Sequence, residues 1–145
     1  MKAQLWTIPG ERMKGGKTHK VPLTAEAIKL LKSQHRLNEY VFPGPRTGKP
    51  VSDVAVSKVP KAMGHDVTPH GFRATFRTWA REHTGYVEEV PELALALAHV
   101  NSDRTAYARG ELIEKRRQLM EDWEHFILHG HKQRGGKVVR AAGRK

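Results

Sequence analysis

The stretch that constrains the fold most is Thr68–Ala80, TPHGFRATFRTWA, because several local rules agree there on a single helix. Thr68 is a good N-cap, and Pro69 takes the first helical position, where its missing N–H costs nothing. A helix begun there carries His70, Arg73 and Arg77 along one face, at spacings of three and four. Phe72, Phe76, Trp79 and Ala80 fall on the opposite, core-facing side. The polar trio gathers near a helix N-terminus, where free N–H groups and the dipole favour an anion, so an imidazole and a guanidinium there suit a phosphate. An ordinary amphipathic helix with a solvated basic face has the same pattern. The rest of the chain has to decide between the two.

Charge is the first deciding feature. Twenty-six Lys and Arg stand against fifteen Asp and Glu, a net charge of +11 on 145 residues. An excess of this size on a chain long enough for one domain with a modest core points to a polyanionic partner, DNA or RNA. The chain has no cysteine, which excludes disulfides, thiol catalysis and cysteine-ligated zinc. No apolar run is long enough to span a bilayer, and MKAQLWTIPG is not a signal peptide. The expectation is a cytoplasmic protein with no membrane partner.

Taken in order, Gln4–Ile8 (QLWTI) and Lys17–Leu23 (KTHKVPL) read as two strands, and the polar ERMKGG between them suggests a hairpin. Gly16-Lys17-Thr18 imitates the end of a phosphate-binding GxxxxGK[ST] loop. That spacing requires glycine at position 11, which is Glu11, and HKVPL continues as a strand where a helix is needed. Nucleotide hydrolysis is therefore excluded. Thr24 caps a helix over Ala25–Gln34, with Ile28 and Leu31 inward and Lys29 and Lys32 outward. Tyr40–Phe42 is a short apolar piece, and Gly44–Pro50 is a basic loop. Ser52 caps a helix over Asp53–Met63 that Pro60 should kink or shorten, with Gly64 as its stop.

After the Thr68–Ala80 helix, Glu88–Ala98 (EEVPELALALA) reads as an apolar helix and Asn101–Asp103 as a polar break. Thr105–Arg109 is a short basic segment that brings Tyr107 forward. Glu111–Leu128 is a long amphipathic helix whose stripe of Ile113, Met120, Trp123 and Ile127 belongs to a core. His125, His129 and His131 do not gather a convincing carboxylate for a metal site, and a frayed helix end accounts for them. Residues 129–145 form a basic, glycine-containing tail, expected to be disordered when free. The fold class expected is α+β, mainly α-helical: a helical bundle with a small N-terminal antiparallel β-hairpin, the globular domain occupying residues 1–128.

Set beside one another, TPHGFRATFRTW, LAHV and AYARGELIEKRRQLMEDW resemble the C-terminal catalytic domain of the phage-type integrases, which are tyrosine recombinases. The resemblance extends over about Leu5–Leu128. H-x-x-R alone is weak, whereas the ordered set within these words is strong. It implies that the Tyr107 phenolate attacks a DNA phosphodiester to give a 3′-phosphotyrosyl link and a free 5′-hydroxyl. A phenol with a pKa near 10 is a poor nucleophile at neutral pH, so cations and a base have to assist it. By the resemblance, Arg73 would hold the non-bridging oxygens with its planar fork, and His70 would accept or orient a proton. His99 would donate to the phosphate, and Lys14 in the hairpin turn would protonate the departing 5′-oxygen, with Lys17 as the fallback. No cofactor is implied, neither ATP nor metal. The implied partner is double-stranded DNA carrying attachment sites, on which intact relatives work as tetramers.

The family also uses a second arginine, from a helix upstream of the first hairpin strand, and a separate DNA-clamping domain. This sequence begins in or just before that strand, and Arg12 lies in the hairpin turn, where it cannot serve by position. The expectation is an N-terminally truncated integrase with little or no recombination activity of its own. The alternatives are a non-enzymatic DNA-binding remnant and a type IB topoisomerase-like strand transferase, which shares the same nucleophile logic.

Overall fold

The computed structural model describes residues 4–97 and 105–130, with backbone alone over 105–111. Two strands come first, β1 (Leu5–Ile8) and β2 (His19–Pro22), paired antiparallel in the register Leu5↔Pro22, Trp6↔Val21, Thr7↔Lys20 and Ile8↔His19. The turn between them begins with a single 3₁₀ turn over Gly10–Arg12 and ends at Gly16, which has φ of 66°. A Cβ at Gly10 would sit 2.3 Å from the Gly16 carbonyl oxygen, so only glycine lets the loop close there. Lys14 lies in this turn and Lys17 in the bend just after it, both exposed.

Helices supply the rest: α1 (Ala25–Ser33), α2 (Asp53–Ala62), α3 (Pro69–His83), α4 (Glu89–Ala94) and α5 (Thr105–His129). Thr24, Ser52 and Thr68 cap α1, α2 and α3, their hydroxyls accepting from Ala27, Ala55 and Gly71 N–H. Pro60 does not shorten α2, which runs on to Ala62. It stands in the final turn, so only one backbone hydrogen bond is forfeited. The core is small. Phe76, Trp79 and Ala80 of α3 meet Val90 of α4 and Leu119 of α5, all buried, with Leu112, Met120, Trp123 and Phe126 packed around them. Phe76 meets Trp123 edge-on at 5.3 Å, and Trp79 lies 4.9 Å from Trp123, geometries that aromatic quadrupoles favour. Glu124 of α5 caps α1 from a distance by accepting from the Glu26 N–H at 3.1 Å.

The structure departs from the sequence expectations at four further places. Phe72 is 57% exposed rather than core-facing. It stands one turn before Phe76 and lines a groove of about 720 Å³ with Phe42, Val51, Val56, Val59 and Pro69. Thr105–Arg109 is continuous with α5 rather than a separate segment. The α5 stripe is also rotated from the expected one. Ile127 is 60% exposed, while Leu119 is fully buried and Arg116 occupies the buried seam.

The fourth departure is α4, which stops at Ala94 instead of continuing to Ala98. Leu97 N–H donates to the Glu92 carbonyl at 2.9 Å and Ala96 N–H to the Leu93 carbonyl at 3.2 Å. Ala96 has φ of 54°. This is a Schellman closure made with alanine where glycine is usual. The left-handed conformation costs an alanine roughly 1–2 kcal/mol, and glycine's extra unfolded-state entropy takes back roughly 0.4–1 kcal/mol. Ala96→Gly should therefore raise stability by about 0.5–1 kcal/mol, read as a higher urea midpoint at unchanged m-value. A midpoint that stays put or falls would show the turn to be unstrained.

Candidate active site

The site residues expected from the sequence begin with the exposed face of α3. His70 is the second residue of the helix and Arg73 follows one turn later, both exposed. The helix stands upright there because Thr68 and Pro69 fix its first turn, while the buried Phe76, Trp79 and Ala80 anchor its far end. One terminal nitrogen of Arg73 donates to the Leu95 carbonyl at 2.7 Å. That carbonyl faces out from the end of α4, where a helix carries partial negative charge, so the contact is favoured electrostatically. A guanidinium has five N–H donors, and among the described residues this one is oriented by a single backbone bond with others to spare. Arg77 is committed differently: Glu92 at 2.9 Å and Glu88 at 3.3 Å hold it, leaving it a bridge between α3 and α4.

The structure thus brings Arg73 to the end of the helix that leads towards His99. His99 itself lies outside the described residues. Tyr107 is the third residue of α5, placed by its backbone alone. Lys14 stands exposed in the hairpin turn, as expected. Of the chain's three tyrosines, Tyr86 is unsuited to nucleophilic work: its hydroxyl donates to Asp122 Oδ2 at 2.8 Å. Burial, and then the Asp122 carboxylate, hold its pKa well above the ordinary phenol value.

Two residues near the site escape a reading of the sequence. Arg116 of α5 is 7% exposed, and one terminal nitrogen donates to the Lys20 carbonyl of β2. His19, beside Lys20, has its pKa lowered by burial and then by the Arg116 charge, while a hydrogen bond to the Ala94 backbone opposes the shift. The only signal in the sequence is an arginine where an apolar residue should fall, four residues after Leu112 and three before Leu119. Among the described residues, no group of three His, Cys, Asp or Glu side chains is placed to hold a metal ion.

The lowered His19 pKa has a measurable sign. Above about pH 6.5 His19 is neutral folded and unfolded, and its contribution to stability is full. As the pH falls from there towards the folded value, the unfolded chain takes up the proton first and stability declines. Urea unfolding between about pH 7.5 and 5 should show a fall that is shallower in His19→Gln than in the parent chain. Parallel curves would mean that His19 does not titrate differently on folding.

Residues 1–109 match the Phage integrase family, a stretch that takes in the hairpin, α1–α4 and Tyr107. The chain belongs to the phage integrase family. Prophage integrase IntZ of Escherichia coli K12 is 36% identical over 127 residues, which cover 83% of this chain and 31% of that protein. The integrase of Shigella phage Sf6 is 34% identical over 128 residues, covering 83% and 33%, and prophage integrase IntA of Escherichia coli K12 is 32% identical over 131 residues, covering 86% and 32%. The chain therefore spans about a third of the length of the curated relatives it matches. No solved structure gives a significant match. A mainly helical domain with a two-stranded antiparallel sheet at its N-terminal side is consistent with an integrase domain. Among the described residues, no helix is long and apolar enough to cross a membrane.

Proposed function

We propose that this chain carries the phosphodiester-transfer centre of a tyrosine recombinase acting in site-specific DNA recombination, with Tyr107 as the nucleophile. The observation that supports it most is Arg73, exposed at the N-terminal end of α3 and oriented by the Leu95 carbonyl with donors left over for a phosphate. In the reaction, Tyr107 Oη bonds to phosphorus and the bond from phosphorus to the 5′-oxygen breaks. That oxygen leaves with the electron pair and takes a proton from Lys14, while the phenol's proton passes to His70. Arg73 and His99 donate to the non-bridging oxygens as charge develops on them. A 5′-hydroxyl from a partner strand reverses the step and rebuilds the phosphodiester, so no nucleotide is consumed.

The net charge of +11 favours double-stranded DNA as the partner through phosphate contacts that weaken as salt rises. Attachment sites and tetrameric synapsis follow the same resemblance to the family. The step to measure is single-turnover strand cleavage. The test is a nicked suicide duplex bearing the attachment site, which traps the 3′-phosphotyrosyl protein. A covalent adduct whose DNA-bearing peptide contains Tyr107 supports the reading; salt-sensitive binding with no adduct leaves a DNA-binding module only.

A further inference from the structure

We infer that Arg116 is the positioning residue that holds the β1–β2 hairpin, and with it the Lys14 turn, against the helix that carries Tyr107. This rests on the reaction proposed above. Arg116 lies in the buried seam of α5, between Leu112 and Leu119, and donates to the Lys20 carbonyl in the middle of β2. Its Nε is buried with no hydrogen-bond partner among the described residues, and burial is the cause of its lowered pKa, with no carboxylate among those residues to offset the charge. Burying a guanidinium on those terms is costly, and an apolar side chain would fill the seam with less penalty. What an apolar side chain cannot do is grip a backbone carbonyl across the gap to another element.

The hairpin needs such a grip. Its strands are four residues each in a sheet of two, which is marginal without support from elsewhere. Successive residues of β2 supply that support: Lys20 through its carbonyl to α5, and His19 through its ring to the Ala94 backbone at the end of α4. The next residue of that α4 turn, Leu95, receives Arg73. Lys14 follows from this frame, six residues before Lys20 on the exposed turn between the strands. Arg116 also lies beyond the stretch that matches the family, which ends at residue 109.

A chemical rescue separates positioning of the Lys14 acid from general loss of fold. A duplex with sulfur in place of the 5′-bridging oxygen breaks a P–S bond, and the thiolate leaves without needing a proton. In single-turnover adduct formation, Lys14→Ala should lower the rate on the oxygen substrate by about 10²-fold or more. Arg116→Gln should lower it by about 10- to 10²-fold and Arg116→Lys by less, with all three within about twofold of the parent on the sulfur substrate. Tyr86→Phe, which only releases Asp122, should change both substrates by the same factor. If the Arg116 variants lose both substrates equally, the inference is overturned while the proposed function stands.

A second measurement needs no activity. The chain lacks cysteine, and Gly15 has open space around it, so nitroxides at Gly15→Cys and Gln118→Cys report the distance from the hairpin to α5. One narrow distance in the parent that broadens in Arg116→Lys supports the anchor, and an unchanged distribution overturns it. A parent chain silent on both substrates sinks the reaction reading, and the label distances still decide the anchor.

Discussion

Tyr107→Phe should abolish the covalent protein–DNA adduct, a loss on the order of 10⁴-fold or more, as expected when a covalent nucleophile is deleted. The substitution keeps the ring and removes one oxygen, so DNA affinity should stay within about twofold, because phosphate contacts by the many lysines and arginines set it. Both quantities come from the same nicked substrate: trapped adduct on a denaturing gel, and binding titrated at several salt concentrations. Two outcomes would sink the assignment. An adduct that persists in Tyr107→Phe means another nucleophile, and Tyr86 is a poor candidate because Asp122 and burial keep it protonated. An affinity that collapses with the adduct would make Tyr107 a binding residue rather than the attacking group.

The parts of the fold that sequence reasoning reaches are those where local chemistry and packing agree. Thr68, Pro69, Phe76, Trp79 and Ala80 define α3 in the sequence, and the structure uses each as expected. Gly16 and Gly64 mark turns and adopt positive φ. The end of α4 carries no such mark: an alanine closes it, and EEVPELALALA offers no break in the pattern to show where the helix stops. In α5 the buried seam is interrupted by Arg116, so a search for apolar periodicity settles on Ile113 and Ile127 instead of Leu112 and Phe126. Phe72 has the spacing of a core residue, but among the described residues the buried part of α3 begins at Phe76. The site is a different case. His70 and Arg73 declare themselves by sharing an exposed helix face, while the grouping of Lys14, His99 and Tyr107 with them comes from family resemblance and not from periodicity. What the structure adds is the hold on Arg73: α4 ends at Ala94, and the Leu95 carbonyl just past that end accepts from the guanidinium.

That hold leads to the second large effect, at Arg73. Arg73→Lys should lower single-turnover cleavage by about 10²–10³-fold while lowering DNA affinity by far less. Lysine keeps the positive charge but offers a single nitrogen in place of a planar fork. It can donate to the Leu95 carbonyl or reach the phosphate, and it cannot orient itself on one while clamping two oxygens of the other. The ground-state complex loses at most one phosphate contact, so the slope of log affinity against log salt should fall by about one unit or less. The transition state loses a directed pair of donors at the point where charge accumulates. Because Arg73 is exposed and its one bond is to a helix end, thermal stability should shift little, within about 1 kcal/mol. A variant that cleaves at the parent rate with weakened binding would make Arg73 a docking cation. A variant that unfolds would make the Leu95 contact structural. Slow cleavage by a stable, DNA-bound protein is the outcome that assigns the guanidinium to the transition state.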